Sequence, residues 1–394
     1  MIRLGRRAFL AALAARAPWF FFTARGAEGV RGVGSRLGMQ RLDGSGLRFP
    51  DFGLPDHIGW LPYCFFRDGR RAVLFSLELV PDWRERSFDD YYPKSTTHLW
   101  LWDIETGRRQ ELGRKARLSS FVAPCVLMPG EGRIAVTAIV EGKQRLYTMD
   151  LDGGEARAVS AAGENVYGVS LSPDGRRFAY HADYRIVTIG VDGADRREVN
   201  GARGALMFGP AWSPDGEWVT YQVCTPKTDP GHDWSDVWVG RPDGRENRAL
   251  TSGDAAWFGA SYGPRSNPGG GSNLPVWTKE GILFVERSPG ARVPWEYQAG
   301  RRDTDHFNRE YRPEAARGGT RIARLDPRTG ERRAVTAFAE GRWDFRPAPA
   351  GDAVLFCRAA VGENPGIWRT GRGGEALLNR GYGGNGADHP RVML

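Results

Sequence analysis

Short apolar, β-rich runs alternate along this chain with polar clusters of Ser, Pro, Asp and Gly. Phe178-Ala179-Tyr180 follows Ser172-Pro173-Asp174-Gly175, and Trp218-Val219-Thr220-Tyr221 follows Ser213-Pro214-Asp215-Gly216, about 41 residues further on. Weaker copies of the turn stand at Arg67-Asp68-Gly69, Pro129-Gly130-Glu131-Gly132, Lys279-Glu280-Gly281 and Ala350-Gly351-Asp352. Pro pre-sets the first corner of a tight turn and Gly takes the positive φ that other residues resist, so each cluster suits a reversal between antiparallel strands. A second reversal follows each run, at Asp103 to Gly107, Asp150-Leu151-Asp152-Gly153, Val191-Asp192-Gly193, Pro242-Asp243-Gly244, Asp326 to Gly330 and Arg372-Gly373. The repeating unit therefore reads strand, turn, strand, loop, strand, turn, strand.

Units of ~40 to 45 residues holding four short strands predict an all-β chain folded as a β-propeller. Innermost strands are expected to begin near Gly59-Trp60, Phe121-Val122, Tyr167-Gly168, Phe208-Gly209, Asn273-Leu274, Trp343-Asp344 and Asp388-His389. Seven starts imply seven four-stranded blades, with a six-bladed ring and frayed ends as the alternative. The last start leaves no room for a full blade before Leu394, whereas Arg36 to Gly44 copies the second half of a unit, as in Arg145 to Gly153. Pairing of the N- and C-terminal segments is therefore expected to close the ring and remove its open edges. The repeats override the two or three domains that length alone suggests, and one propeller domain is expected over residues 28–394.

Composition changes this picture little. With 53 Gly and 25 Pro used as turn residues, and 14 Trp, 19 Phe and 12 Tyr to bury, the 394-residue chain is neither disordered nor low in complexity. The formal charge of +8 comes from 55 Lys or Arg against 47 Asp or Glu. Only five of the basic residues are lysines, and the arginines are scattered beside acids rather than gathered on one face, so no nucleic-acid partner is expected. Of the four cysteines, Cys64 and Cys125 occupy matching places in two repeats and Cys224 and Cys357 end apolar runs, which suits small core residues.

Residues 1–27 read as an export signal: Arg3, Arg6 and Arg7 precede the apolar run Ala8 to Leu13, with small residues at Ala24 to Ala27. Gly5-Arg6-Arg7-Ala8-Phe9-Leu10 resembles the core of a twin-arginine signal, which implies a periplasmic or secreted protein. No later stretch approaches the ~18 apolar residues of a membrane span, so no stable membrane insertion is expected after cleavage.

The Ser-Pro-Asp-Gly turn before a β run, followed by a strand and an Asp-Gly turn, resembles the propeller repeat of the TolB-type family, which also occurs in peptidase and polysaccharide-lyase propellers. The resemblance spans roughly residues 55–394. It is specific for architecture and not for activity, because each family grafts its site onto the scaffold separately.

Blade topology places the long insertions, Glu78 to His98, Thr225 to Ser235, Asp254 to Ser272 and Glu286 to Gly319, on one face of the ring. Loops on a rigid scaffold are where binding resides. His57, His232, His306 and His389 segregate to that face, each beside a carboxylate: Asp56, Asp233, Asp305 and Asp388. A His with such a neighbour serves as metal ligand, general base or structural group. His57 and His389, nearest the axis, are the first candidates for proton transfer, and with His232 for a divalent metal ion. His98 and His181, inside strand-like runs, are expected to be packing residues. In the fifth unit Trp295, Tyr297, Arg309, Tyr311 and Arg312 interleave aromatics with Arg, a pattern that suits a sugar acid or similar anion. Arg346, Asp344 and Asp388, at inner-strand starts, complete the candidate ligand-binding set. Gly259-Ala260-Ser261-Tyr262-Gly263 matches a nucleophile-elbow string, but Pro264, Pro268 and Gly269-Gly270-Gly271 forbid the helix such an elbow needs.

Two functions follow. The first is an exported binding module that takes an acidic oligosaccharide or a protein partner on its loop-rich face. The second, implied by the similarity to oligogalacturonate and ulvan lyases, is a polysaccharide lyase. In that reading His57, His389, His306, Tyr311 or Tyr297 abstracts the proton next to a uronate carboxylate, and Arg309, Arg312, Arg346 or a metal neutralises the developing enolate.

Overall fold

The computed structural model describes residues 17–25, 35–82, 94–116, 118, 120–224, 234–262, 269–297 and 309–393, with backbone only at 260–262, 269–271, 295–297 and 309–310. Three sheets are separate four-stranded antiparallel meanders. They are β3 (His57–Phe65), β4 (Arg71–Glu78), β5 (Thr96–Asp103) and β6 (Arg109–Glu111); β7 (Phe121–Leu127), β8 (Arg133–Val140), β9 (Lys143–Asp150) and β10 (Arg157–Ala158); and β11 (Val166–Leu171), β12 (Arg177–Ala182), β13 (Arg185–Gly190) and β14 (Arg197–Asn200). Three further units follow. The first is β15 (Leu206–Trp212), β16 (Val219–Cys224), β17 (Trp234–Gly240) and β18 (Asn247–Ala249). The second is β19 (Ala256–Trp257), β22 (Val276–Thr278), β23 (Gly281–Arg287), β26 (Thr320–Leu325) and β27 (Arg332–Ala334). The third is β28 (Arg342–Ala350), β29 (Ala353–Ala360), β30 (Gly366–Gly371) and β31 (Gly374–Asn379). Short pairings of β17 with β19 and β26 with β28 link these three into one sheet. Two hairpins project from the second of them, β20 (Gly259–Tyr262) with β21 (Gly269–Ser272), and β24 (Trp295–Tyr297) with β25 (Arg309–Tyr311).

A further three-stranded sheet brings an N-terminal and a C-terminal segment together: β1 (Trp19–Ala24) lies between β2 (Arg36–Arg41) and β32 (Ala387–Val392). Its faces explain the run Phe20-Phe21-Phe22. Phe20 and Phe22 pack with Phe345, Leu355 and Phe356, while Phe21 packs with Leu61, Ala72 and Leu74 on the other side. β1 is thus the middle strand of a sheet sandwiched between its neighbours. Residues 19–24, placed by the sequence within the export segment 1–27, pair here with β2 and β32, and Arg25 forms a buried ion pair with Asp388.

The core is a series of slabs between successive sheets rather than one centre. Val73 and Phe75 meet Ile134 and Val136, Ala135 meets Phe178 and Tyr180, Ala179 meets Val219 and Tyr221, and Val237 meets Ile282 and Phe284. Second strands are covered on both faces and so read as continuous apolar runs, as in Ala72 to Phe75 and Ile282 to Val285. The Ser-Pro-Asp-Gly turns are self-contained. Ser172 Oγ donates to Asp174 Oδ1 (2.6 Å) and accepts from the Arg177 amide (2.9 Å), and Ser213 repeats this with Asp215 and Trp218. Cys64 and Cys125 sit on neighbouring inner strands with Sγ atoms 3.1 Å apart.

Candidate functional site

Five inner strands share one irregularity, while β7 bulges with three residues, Ala123 to Cys125, opposite one and none of them left-handed. In β3, β11, β15 and β28, two residues face one on the adjacent strand, with the register breaking between Ile58 and Leu61, Tyr167 and Ser170, Phe208 and Ala211, and Phe345 and Ala348. β32 breaks at the same place, with Asp388 opposite Thr23 and Arg391 opposite Phe21. The first bulged residue takes a left-handed backbone in every case: Gly59 (φ 68°), Gly168 (64°), Gly209 (59°), Arg346 (52°) and His389 (54°). Glycine adopts this conformation freely, whereas any L-residue there costs roughly 1 to 2 kcal/mol. In the unit of β22 and β23, the hairpin β20–β21 interrupts the inner strand instead, because Ala256 already pairs with Glu286. The inner strand expected to begin near Asn273 therefore starts at Ala256, and 259–272 is an insertion within it rather than a loop before it.

The two side chains that replace glycine meet. Arg346 Nη1 lies 2.9 Å from His389 Nδ1, although the residues are 43 apart in sequence. Asp388 anchors the pair: its Oδ1 contacts His389 Nδ1, and its Oδ2 accepts Arg25 Nε (3.1 Å) and Nη2 (2.9 Å). Burial alone would raise the Asp388 carboxyl, but the His389 ring and the Arg25 guanidinium outweigh it and hold the group well below the usual carboxylate range. His389 is pushed down to about 4, first by burial and then by the Arg346 charge, so its imidazole is neutral at pH 7. Nδ1 cannot accept from Arg346 and donate to Asp388 at once; in the tautomer that donates Nδ1–H to Asp388, Nε2 is the basic nitrogen. Arg391 adds a third guanidinium, over the Tyr63 ring at 5.2 Å and within electrostatic reach of Arg346. Among the described residues this cluster gathers three guanidiniums and one carboxylate. Asn273 Oδ1 accepts the Arg346 amide at 3.2 Å, and the buried Asn273 Nδ2 and Arg391 Nε have no hydrogen-bond partner among the described residues. Burial raises the Cys357 thiol, so it is no nucleophile here.

A second cluster lies at the loop-bearing end of β3, β4 and β5. His57 pairs with Glu78 and Ser76 with His98, so these side chains share one sheet face, and ligand atoms of His57, Glu78 and His98 lie within 4.8 Å of one another. His98 is therefore more than the packing residue expected: its Nδ1 meets Glu111 Oε1 and its Nε2 meets Glu78 Oε2, each at 2.7 Å. His181 stacks on Tyr167 with centroids 5.3 Å apart, and burial takes its value down to about 4.

Other candidates fall elsewhere. Asp344 is fully buried, with both oxygens taken by Arg358 at 2.6 and 2.8 Å. Tyr311 closes β25 with its hydroxyl beside Gly362, in the turn between β29 and β30, and burial raises its value. The Arg312 amide donates to Pro294 O at 2.7 Å, closing the base of the β24–β25 hairpin. Trp295 and Tyr297 face Tyr311 and Arg309 in the backbone register of that hairpin. His232 and His306 lie outside the described residues. Sequence reasoning missed Arg25, Arg391, Asn273, Glu78 and Glu111. Only Arg391, two positions beyond His389, carried a local signal.

No protein-family model matches the sequence, and no curated protein matches it. Solved structures do. A puromycin-hydrolysing peptidase of Mycobacterium tuberculosis is 15% identical over 94% of this chain and 54% of that one, with a TM-score of 0.57. A putative TolB from Agrobacterium tumefaciens is 16% identical over 82% of this chain and 90% of that one (TM-score 0.44), and an oligogalacturonate lyase in complex with manganese is 14% identical over 72% of each (TM-score 0.47). This chain spans about half the length of the peptidase. At these identities the likeness is one of fold, and the class is an all-β, propeller-type protein. Among the described residues no helix is long and apolar enough to cross a membrane.

Proposed function

We propose that this chain is an exported, seven-bladed propeller, closed by the sheet of β2, β1 and β32, that binds a carboxylate-bearing ligand at the loop-rich mouth of its channel. The observation that carries the reading is the placement of Arg346 and His389 at the bulge position where β3, β11 and β15 use glycine. Backbone strain retained against a cheaper residue marks a position kept for its side chain. Guanidiniums gathered in one place, with Asn273 Nδ2 and Arg391 Nε without a partner among the described residues, suit an oligouronide carboxylate. The β24–β25 hairpin carries Trp295, Tyr297 and Arg309 along its strands with Arg312 just beyond, residue types that suit stacking on sugar rings and pairing with their carboxylates.

The Asp388–His389 pair favours a second reading, a polyuronate lyase. A carboxylate that orients a neutral imidazole leaves Nε2 to take the proton α to a uronate carboxylate, while Arg346 offsets the enolate charge and the bond to the 4-substituent breaks. Calorimetric titration of the intact protein with oligogalacturonates and other acidic oligosaccharides tests binding, and ultraviolet absorbance of an unsaturated uronate tests elimination. Binding without absorbance supports the module, and both together support the lyase. If no acidic oligosaccharide binds, both readings fall.

A further inference from the structure

We propose that His57, Glu78 and His98 form a binding site for one divalent transition-metal ion, Zn2+ in the first instance, on the outer side of the propeller mouth. The three residues come from three consecutive strands of one sheet and project from the same face. Their ligand atoms lie within 4.8 Å of one another. A tetrahedral ion with bonds of ~2.0 to 2.2 Å holds its ligands about 3.3 Å apart, so the set needs only side-chain adjustment to close on an ion.

Hydrogen bonding around the site supplies an independent reason. A neutral imidazole carries one N–H, yet both nitrogens of His98 face carboxylate oxygens at 2.7 Å. With Nδ1–H donated to Glu111, Nε2 faces Glu78 Oε2 and calls for positive charge there, either a second ring proton or, in its place, a metal ion that holds the two atoms ~3.3 Å apart. Glu111 then plays the part of the carboxylate that orients a metal-bound histidine from behind. Ser76 does the same for His57: its Oγ accepts Trp100 Nε1 at 2.8 Å and lies 2.9 Å from His57 Nδ1, leaving Nε2 of His57 for the ion. Trp60 and Trp100 stand beside the His57 ring, with centroids at 5.8 and 5.9 Å, and limit its rotation. Glu78 is half exposed, which gives an entry path and room for water in the remaining coordination position. Two imidazoles and a carboxylate are borderline donors, suited to Zn2+ or Co2+ rather than Ca2+ or Mg2+.

The test uses the intact chain, stripped with a chelator and titrated with Zn2+ by calorimetry. One equivalent is expected to bind with a dissociation constant below ~10 μM. The Co2+ form is expected to show visible d–d bands of four- or five-coordinate cobalt. Glu78→Gln and His98→Asn are expected to weaken binding at least tenfold, while Arg346→Gly leaves it unchanged. That last control separates this site from the carboxylate-binding reading, since either can fail alone. Circular dichroism establishes that each variant folds, and Glu78→Gln, half exposed and nearly isosteric, keeps the test decisive if His98→Asn does not. Absence of stoichiometric binding, or equal binding by wild type and Glu78→Gln, overturns the proposal.

Discussion

Replacing Arg346 by glycine separates a binding role from a structural one. The left-handed backbone at this position (φ 52°) costs an L-residue roughly 1 to 2 kcal/mol, and glycine removes that strain. Against the gain stand about 0.5 to 1 kcal/mol for glycine's greater freedom in the unfolded chain and about 0.5 to 1.5 kcal/mol for the lost contact with His389. The Arg25–Asp388 pair is untouched, and repulsion between Arg346 and Arg391 is relieved. The sum lies within about 1.5 kcal/mol of zero. Urea unfolding of Arg346→Gly is therefore expected to show a midpoint close to wild type. Affinity for an acidic oligosaccharide should meanwhile drop by ~10- to 100-fold, the worth of a hydrogen bond to a charged group. A variant that loses more than ~3 kcal/mol of stability yet binds as wild type would show that Arg346 holds the blades together and would refute the reasoning.

Other perturbations follow from the same structure. His181 and His389 both sit near 4 in the folded protein, below the ordinary 6.5, so the unfolded chain binds more protons between those values. Stability is then complete above pH 6.5 and is lost as pH falls toward 4, by up to about 3 kcal/mol for each residue. His181→Phe should narrow the difference between urea midpoints at pH 7 and 4.5, and an undiminished difference would count against burial of a neutral His181. Asp344→Asn takes the bidentate carboxylate from the buried Arg358 guanidinium, which keeps Glu375, and should cost about 1.5 to 3 kcal/mol by denaturant titration, whereas the double change Asp344→Leu with Arg358→Met should recover most of it. A single variant within 1 kcal/mol of wild type would disprove that the pair matters. Finally, a chain beginning at Glu28 lacks β1 and Arg25 and should not unfold cooperatively, and N-terminal sequencing of the protein isolated from its native cells should find a start at or before Trp19. A folded mature chain beginning at residues 25–28 would contradict this.

Much of the scaffold was legible because its causes are local. Ser172 and Ser213 close their turns with atoms from within five residues, so the turn string alone marked the reversal. Inner strands were expected within a few residues of where they lie, except in the interrupted unit. There the apolar step at Ala256-Trp257 is only two residues long, and the hairpin that follows hides the continuity of the strand. β1 reads as part of an export segment because a strand buried on both faces carries the same unbroken apolar character.

The site was legible only in part. His57 and His389 stood out as histidines beside acids at inner-strand starts, but nothing in sequence indicated that His57 would group with Glu78 and His98 while His389 grouped with Arg346. Composition and turn chemistry determined an all-β repeat with one loop-rich face, since those properties depend on residues a few positions apart. Which side chains share a face depended on register, and register is set by long-range pairing: Arg25 reaches Asp388 across 363 residues, and Arg346 meets His389 only because both strands bulge at the same height. A one-residue shift at either bulge would turn those side chains to the opposite face, so tertiary packing alone decided where the chemistry converges.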